Sequence, residues 1–554
     1  MTDQPPAEVA GEAPEAAASS VAPAGAGSPS GAGMALARAG LVVSIAYLGA
    51  RILGYVRVVV IGSTLGAGAE LDAFFAAFRV PDLIFQLVAA GTVAAALVPM
   101  LAGELGTGRP GRAWHIVSTV ATLMLLGLAI LAGAAFVLAP VLVPIITPGF
   151  EGAQLERTIE LTRIMLLSPV FLALGAVATS TLNAHHRFAA AAVAPIVYDL
   201  AIIGAAVLFT PSLGVTALAI GVVAGAAGHL LVQLPALRRA GFRFAPSLDV
   251  KDRDVSQALR LMIPRAVALG AGQITIVVAV SLATGLEPGS VTAFTFAFTL
   301  MSIPLSVVGV PMGIVTLPTL SRDLARGAVA SFVELLDRAL RLILFVVAPI
   351  VALGIVLREP AVTLLFNHGR FDETGVALVA ATLLLLLLAL PAEALITILV
   401  RAFYADRDTR TPAAAALLAM TISIAIAVLA VTSLGWGLAG IGAGIAVGSS
   451  VEAILLVVIL RRRFGGFDAG RLARLGVQVG AASLVAAVVA VGFQTLLVTP
   501  LAAFQVHLGA AIELAIAGGL GAAAYLLVAR LLRLPEVGLI MRLMSDTLSR
   551  VRPV

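Results

Sequence analysis

The chain has 554 residues, of which 60% are hydrophobic and 12% charged, with a net charge of +5, a pI near 10.2 and a mean hydropathy of +1.08. Soluble domains carry about 45–50% apolar and about 25% charged residues, so this composition excludes an ordinary globular protein. The sequence contains no cysteine, which excludes disulfides, thiol catalysis and cysteine-bound metal.

The chain begins with a polar segment, residues 1–37, that is rich in Ala, Pro, Gly, Ser and Glu and has no helical apolar pattern. This composition predicts a disordered tail. Asp3 and Glu8 stand where a secretory signal would have basic residues, which argues against such a signal.

Apolar stretches then follow one another to the end of the chain, each long enough to cross about 30 Å of hydrocarbon at about 1.5 Å per residue. They predict an all-α integral membrane protein with about 14 transmembrane helices, joined by short connections. The predicted spans are 38–63, 72–103, 115–146, 162–184, 188–210, 213–237, 258–284, 291–320, 339–357, 374–403, 412–434, 437–460, 474–498 and 507–532.

Basic residues are concentrated in alternate loops, for example Arg238, Arg239 and Arg243, or Arg461 to Arg463. The intervening loops carry few. Because cytoplasmic loops are enriched in Lys and Arg, this pattern predicts that both termini are cytoplasmic. Orientation in the membrane also explains the basic pI without any nucleic-acid partner.

Proline recurs inside the predicted spans. Interrupted helices mark moving segments and binding cavities in transporters, although plain kinks without function are an equal alternative. The prolines concerned are Pro81, Pro169, Pro195, Pro264, Pro304, Pro311 and Pro391.

Two arginines lie inside the first span, which is unusual because a charge at mid-membrane is costly. Arg51 falls near the centre, and Arg57 lies about 9 Å further along the helix. In the second span, Arg79 and Asp82 flank Pro81, and Asp72 stands at the outer end.

Two interpretations of these charges are open. Arg51 or Arg79 could form a buried ion pair with Asp82 that holds two helices together. Alternatively, the arginines line a cationic cavity for phosphate, which the planar guanidinium binds through paired hydrogen bonds. The excess of arginine over acid in these two spans favours the cavity.

Other polar residues lie within the spans, and each could bind a coupling ion or proton or simply bond a neighbouring helix. They are Asp199, His229, Arg265, Gln273, Glu393, Glu452 and Glu513. We find no catalytic or metal-ligand motif, so we expect neither an enzyme nor a metal site nor a cofactor.

The segment RILGYVRVVVIGSTLGAGAELDAFFAAFRVPDLIF (51–85) resembles the amino-terminal signature of the MurJ (MviN) lipid II flippases, in the multidrug/oligosaccharidyl-lipid/polysaccharide exporter superfamily. The resemblance continues, in the same order, through 182–203, 303–323, LLFNHGRFD (364–372) and RAFYADRDTRTP (401–412).

This resemblance implies a flippase that moves undecaprenyl-pyrophosphate-linked peptidoglycan precursor across the bacterial cytoplasmic membrane by alternating access. It also implies two six-helix bundles (38–240 and 241–465) around a central cavity, two helices (466–534) forming a lipid groove, and a cytoplasmic tail (535–554). Arg51, Arg57 and Asp72 match positions that matter in the family, and Arg79 matches one that is commonly basic. Arg265 could replace a missing cavity arginine.

The chain departs from the family pattern at Phe85, Gln86 and Thr299, where basic residues are common, and at Ala90, where an acid is common. These departures leave two alternatives: export of another polyprenyl-linked saccharide, or a non-transporting scaffold of wall synthesis. Expected partners are lipid II and membrane lipids, with other wall-synthesis proteins open. Membrane potential, Na⁺ or H⁺ could drive transport.

Overall fold

The computed structural model describes residues 31–88, 92–465, 468–501 and 504–538. Every regular element in these ranges is helical. The first helix begins at Gly31, inside the predicted tail, and the first 30 residues of that tail lie outside the described ranges.

A first group of ten helices spans residues 31–239. Its members are α1 (Gly31–Leu65), α2 (Ala69–Ala77), α3 (Arg79–Val88), α4 (Thr92–Gly106), α5 (Pro110–Ile146), α6 (Gly152–Met165), α7 (Ser168–Ala184), α8 (Phe188–Leu213), α9 (Thr216–Leu231) and α10 (Leu234–Arg239).

A second group and a C-terminal pair follow. The second group contains α11 (Arg253–Thr284), α12 (Ser290–Pro304), a π-helical segment (Leu305–Gly309), α13 (Val310–Ala325), α14 (Val329–Val356), α15 (Arg358–Phe366), α16 (Glu373–Ala405), α17 (Arg410–Thr432) and α18 (Leu438–Phe464). The C-terminal pair is α19 (Ala469–Leu501) and α20 (Val506–Leu531).

Twelve helical stretches in the described residues are long and apolar enough to cross a membrane. The two remaining predicted spans, 72–103 and 258–284, fall on α2–α4 and α11, and each includes residues or side chains outside the described part of the chain. The membrane-helix prediction is therefore confirmed, with 14 as an approximate count.

Proline breaks several spans, as predicted. Pro81 lies in the first turn of α3, Pro169 in the first turn of α7, and Pro304 and Pro311 flank the π-helical segment. Pro195 and Pro391 instead lie inside the continuous helices α8 and α16. A mid-helix proline removes one backbone hydrogen bond, which packing against neighbouring helices can offset.

Glycines allow α17 and α18 to approach closely. Gly440, Gly444 and Gly448 recur every four residues on one face of α18. A Cβ added at Gly444 would lie 2.5 Å from the backbone oxygen of Ser423 in α17. This is the small-residue packing typical of membrane helices.

Four phenylalanines join the two groups at the end where α1 stops and α12 starts, and we call Phe75, Phe296, Phe366 and Phe371 the aromatic seal. The Phe296 ring centroid lies 5.8 Å from that of Phe75, 4.7 Å from that of Phe366 and 5.6 Å from that of Phe371. The loop charges predict that this end is the outer one.

The connection between the groups, residues 240–252, is fastened along α5 at the opposite end. The backbone amides of Ala245 and Ser247 donate to the hydroxyls of Ser118 and Thr122, at 3.3 and 3.4 Å. Arg112 in α5 then binds Asp252, which caps α11, with 2.8 Å between Nη2 and Oδ1. Irregular backbone near a membrane needs such partners for its amides.

The C-terminal pair is held against α14. The Tyr525 hydroxyl in α20 donates to the backbone oxygen of Phe345 at 2.6 Å. Beyond α20, Glu536 accepts a 2.7 Å bond from Nε of Arg341, and both side chains are at least nine-tenths buried.

Candidate functional site

An ion pair between Arg57 of α1 and Asp199 of α8 forms the centre of the site. Arg57 Nη1 donates to Asp199 Oδ1 at 2.7 Å. The Arg57 side chain is 28% exposed, whereas the Asp199 side chain is 9% exposed. Arg57 is therefore the partly exposed member of the pair, and Asp199 is the buried one.

The helix packing around this pair explains its geometry. Gly54 of α1 faces the carboxylate, because a Cβ added there would lie 3.6 Å from Asp199 Oδ2, at ordinary van der Waals distance. The Arg57 guanidinium carbon lies 5.7 Å from the centroid of the Tyr198 ring, a cation–π arrangement.

Arg79 connects the two helix groups. Arg79 is the first residue of α3 and follows Phe78, which caps the end of α2. Its Nη2 donates to Thr295 Oγ1 of α12 at 3.3 Å. Its buried Nε has no hydrogen-bond partner among the described residues. Arg79 and Asp82 interact electrostatically but make no ion pair within 4 Å. Among the described ion pairs none joins Arg79 to Asp82. An ion pair between two helices does exist at this site, but it is formed by Arg57 and Asp199.

Asp72 makes a second contact with α12, one turn before the Thr295 contact of Arg79. It is 2% exposed and accepts bonds from the backbone amides of Gly289 and Thr292 and from the Thr292 hydroxyl. The carboxylate thus satisfies the amino-terminal end of α12, a helix of the other group. This contact holds the two groups together; binding of a ligand by Asp72 stays a prediction.

The other predicted residues are placed as follows. Arg51 lies on α1, exposed, within two turns of Arg57. Arg265 lies in α11, but its side chain lies outside the described residues, as does Ala90. Phe85 packs against the apolar core of the first group, and the Thr299 hydroxyl donates to the Thr295 backbone oxygen. Neither departure position supplies a charge.

A second polar group lies inside the second helix group. Ser449 of α18 donates its hydroxyl to Glu393 of α16, and Glu452 follows Ser449 by three residues on α18. One turn beyond Thr397, Arg401 donates to the Thr397 backbone oxygen. The Ser449–Glu393 bond joins α18 to α16, whereas the Arg401–Thr397 bond lies within α16. A role for Glu393 in ion or proton binding stays a prediction.

Sequence reasoning did not connect Asp199 and Thr295 with the arginines. Asp199 carried one signal, an acid in an otherwise apolar helix, but its partner is 142 residues away. Thr295 carried none, because a threonine in a membrane helix usually bonds its own backbone, as Thr295 also does to Val291.

The family model described as lipid II flippase MurJ matches residues 61–542 of the chain. The chain belongs to the MurJ family. The lipid II flippase MurJ of Burkholderia cenocepacia is 32% identical over 438 residues, which cover 78% of this chain and 84% of that protein. A probable lipid II flippase MurJ of Rhizobium tropici is 32% identical over 386 residues, covering 68% of this chain and 72% of that protein.

Solved structures show the same fold. The chain superposes on a lipid II flippase MurJ in an inward closed conformation with a TM-score of 0.73 and 21% identity, covering 89% of this chain and 98% of that one. An inward-facing MATE multidrug transporter of the MOP superfamily gives a TM-score of 0.63 with 18% identity, covering 75% of this chain and 95% of that one. The predicted family and transporter fold are confirmed, and the chain is a multi-pass protein of the bacterial inner membrane.

Proposed function

We propose that this protein moves lipid II, the undecaprenyl-pyrophosphate-linked disaccharide-pentapeptide, from the inner to the outer leaflet of the cytoplasmic membrane. The observation that carries the proposal is the partly exposed Arg57 inside the first membrane helix, with Arg79 reaching across to the second helix group. A guanidinium in a site of low dielectric constant binds phosphate more strongly than it does in water.

In this proposal the first and second helix groups are the two bundles, 38–240 and 241–465, and the cavity between them faces each side in turn. Arg51, Arg57 and Arg79 attract the pyrophosphate, and Arg265 adds charge from the second bundle. The C-terminal pair, within 466–534, holds the polyprenyl tail. Both termini are cytoplasmic, so the aromatic seal lies at the outer end.

Alternating access then requires the contacts at the outer end to break. Asp72 would have to release α12, and the aromatic seal would have to open, after the headgroup has entered from the cytoplasm. Outward movement of an anion is favoured at an inside-negative potential, by about 2.3 kcal/mol per charge for each 100 mV. Coupling to Na⁺ or H⁺ is an alternative source of energy. In this proposal the protein uses no catalytic residue and no cofactor. Its protein partners are other proteins of wall synthesis.

A second candidate is export of another polyprenyl-linked saccharide. It is favoured by Thr299 and Phe85, two uncharged residues at positions where the family resemblance implies basic ones. Fewer cations would suit a cargo with less phosphate charge. The pyrophosphate proposal keeps priority because Arg51, Arg57 and Arg79 are all present.

The test is complementation of cells depleted of their own lipid II flippase, with growth and outer-leaflet lipid II measured. Wild type should rescue, and Arg57→Ala should abolish rescue at equal expression. Arg157→Ala is the matched control, because Arg157 pairs on the surface with Glu160 and should rescue normally. Failure of well-expressed wild type would favour the other cargo or a scaffold, and rescue by Arg57→Ala would refute the site.

A further inference from the structure

Asp199 accepts fewer hydrogen bonds within the described part of the chain than two other carboxylates that cap or join helices there. Among the described hydrogen bonds, Asp199 accepts one, from Arg57. Asp72, which is 2% exposed against 6% for Asp199, accepts three, and Asp408 in the α16–α17 connection accepts four. A buried carboxylate normally has several donors, because each unfilled acceptor site costs free energy.

The geometry also leaves the exposed side of Arg57 available. One terminal nitrogen, Nη1, contacts Asp199, and a guanidinium has five N–H donors in a planar fork. The Arg57 side chain is 28% exposed and that of Asp199 is 9% exposed, so Arg57 is the more accessible member of the pair. The Tyr198 ring, whose centroid is 5.7 Å from the guanidinium carbon, is a contact of Arg57 that does not depend on Asp199.

We propose that Asp199 is the resident counter-ion of Arg57, which a diphosphate group displaces on binding and which reclaims Arg57 on release. This inference rests on the proposed function and extends it. Between transport cycles, Asp199 neutralises a cation that would otherwise be costly inside the membrane. During a cycle, its negative charge beside the bound diphosphate weakens binding and speeds release. Asp199 is a positioning residue that acts through Arg57.

This role makes a prediction that a purely structural ion pair does not. Loss of a structural pair weakens binding, because Arg57 becomes misplaced. Loss of a counter-ion strengthens binding, because the diphosphate no longer competes with a carboxylate. Turnover should then fall while affinity rises, since the product leaves slowly.

The experiment measures binding of undecaprenyl pyrophosphate and of inorganic pyrophosphate to the full chain in nanodiscs, together with lipid II translocation in proteoliposomes. Asp199→Asn keeps the shape of the side chain and removes its charge. We expect binding to tighten by about tenfold or more, the range that close charge pairs show in coupling experiments, and translocation to slow. Asp199→Glu keeps the charge and should bind close to wild type.

Two controls make the result specific. Asp82→Asn removes a nearby carboxylate that is not bonded to Arg57, and it should change affinity much less than Asp199→Asn does. In an Arg57→Gln background, Asp199→Asn should no longer tighten binding, because Asp199 acts through Arg57. Thermal unfolding of each variant shows whether it is folded.

The outcomes separate this inference from the proposed function. If wild type binds pyrophosphate and folded Asp199→Asn binds equally or more weakly, the counter-ion role is refuted and the flippase proposal stands. If Asp199→Asn binds and wild type does not, Asp199 blocks the site, which supports the competition. If neither binds either probe, both proposals are overturned. If Asp199→Asn does not fold, two results together would refute the role. Asp199→Glu would bind the probes more weakly than wild type, and Arg57→Gln would bind them as tightly as wild type.

Discussion

Thr292 donates both its backbone amide and its hydroxyl to Asp72 Oδ1, at 2.8 and 2.6 Å, although the two residues are 220 positions apart. The second oxygen of Asp72 accepts the amide of Gly289 at 2.6 Å. The first helix group thereby supplies the cap that α12 lacks in its own sequence. Because the bonds cross between the groups, they form only when this end of the molecule is closed.

Asp72→Ala should open the end that carries the aromatic seal. The substitution removes three hydrogen bonds to a carboxylate, each worth about 1.5–3 kcal/mol. Because the chain has no cysteine, a single Ala293→Cys beside Thr292 can report opening by its reaction with a membrane-impermeant maleimide. Labelling should rise several-fold in Asp72→Ala. Glu70→Ala, an exposed acid in the same helix, should leave it unchanged, and equal labelling in both variants would refute the contact's role.

Glu536→Ala should destabilise the protein because it removes the described salt bridge of the buried Arg341. Removing one member of a buried pair costs about 3–5 kcal/mol, which a fall in Tm would show. The double variant Arg341→Met, Glu536→Leu should recover most of the loss. Glu334→Ala is the control: it breaks the exposed Arg338–Glu334 pair on the same helix α14 and should change Tm little. Equal losses from Glu334→Ala and Glu536→Ala would contradict this explanation.

Asp408, in the connection between α16 and α17, should make stability depend on pH in the acid range. Burial alone would raise the pKa of Asp408, but hydrogen bonds from the Thr411 amide and hydroxyl, from Arg463 and from the Arg410 amide lower it to about 2. Since the folded pKa lies below the unfolded value of about 3.9, the stabilisation is fully present above pH 4 to 5. It is lost as the pH falls through the folded pKa.

The shift corresponds to about 2 kcal/mol. Asp408→Asn should therefore lower the free energy of unfolding by about that amount at pH 7 and flatten its decline between about pH 4 and pH 2. Unfolding in detergent across this range measures the effect. Glu359→Gln changes a carboxyl group that is 67% exposed and should leave the slope unaltered. If the free energy of unfolding of Asp408→Asn declined with pH as steeply as that of wild type, other carboxylates would be the cause of the acid sensitivity.

Gly444→Ala should separate α17 from α18. The new methyl group would lie 2.5 Å from the Ser423 backbone oxygen and 2.9 Å from Ala427 Cβ, and backbone cannot turn aside as a flexible side chain can. Overpacking of this kind costs about 1–3 kcal/mol. Gly492→Ala in α19 adds the same methyl group where nothing lies within 4 Å, so it should be neutral or slightly stabilising. Thermal unfolding of both variants checks the contrast.

Local features of the fold were predictable from the sequence. Length and hydropathy identified the spans. Pro81, Pro169 and Pro311 marked helix starts, where a proline removes no needed bond and fixes the turn, and Pro304 marked the end of α12. The π-helical form of Leu305–Gly309 was not predictable. It follows from how α12, α13 and α16 pack, where Gly309 faces Leu305 and Thr397.

The site was only half predictable, because intramembrane arginines are visible in a sequence and their partners are not. Arg57 could be selected for its cost in the membrane, whereas Asp199 and Tyr198 become its neighbours only when α8 packs on α1. Asp72 was correctly placed at a helix end, but its partner is a backbone terminus of another helix, which no residue type reveals.

The fastening of residues 240–252 along α5 limits how the two helix groups can move. The link travels with α5 as far as Asp252, and α11 begins at the next residue, so little slack is left for one group to slide past the other. Rotation about that end is what remains. Because α11 has 32 residues and is roughly 48 Å long, a tilt of about 10° moves its far end by about 8 Å. The helix then acts as a lever, converting a small angular change at the anchored end into a wide opening at the other.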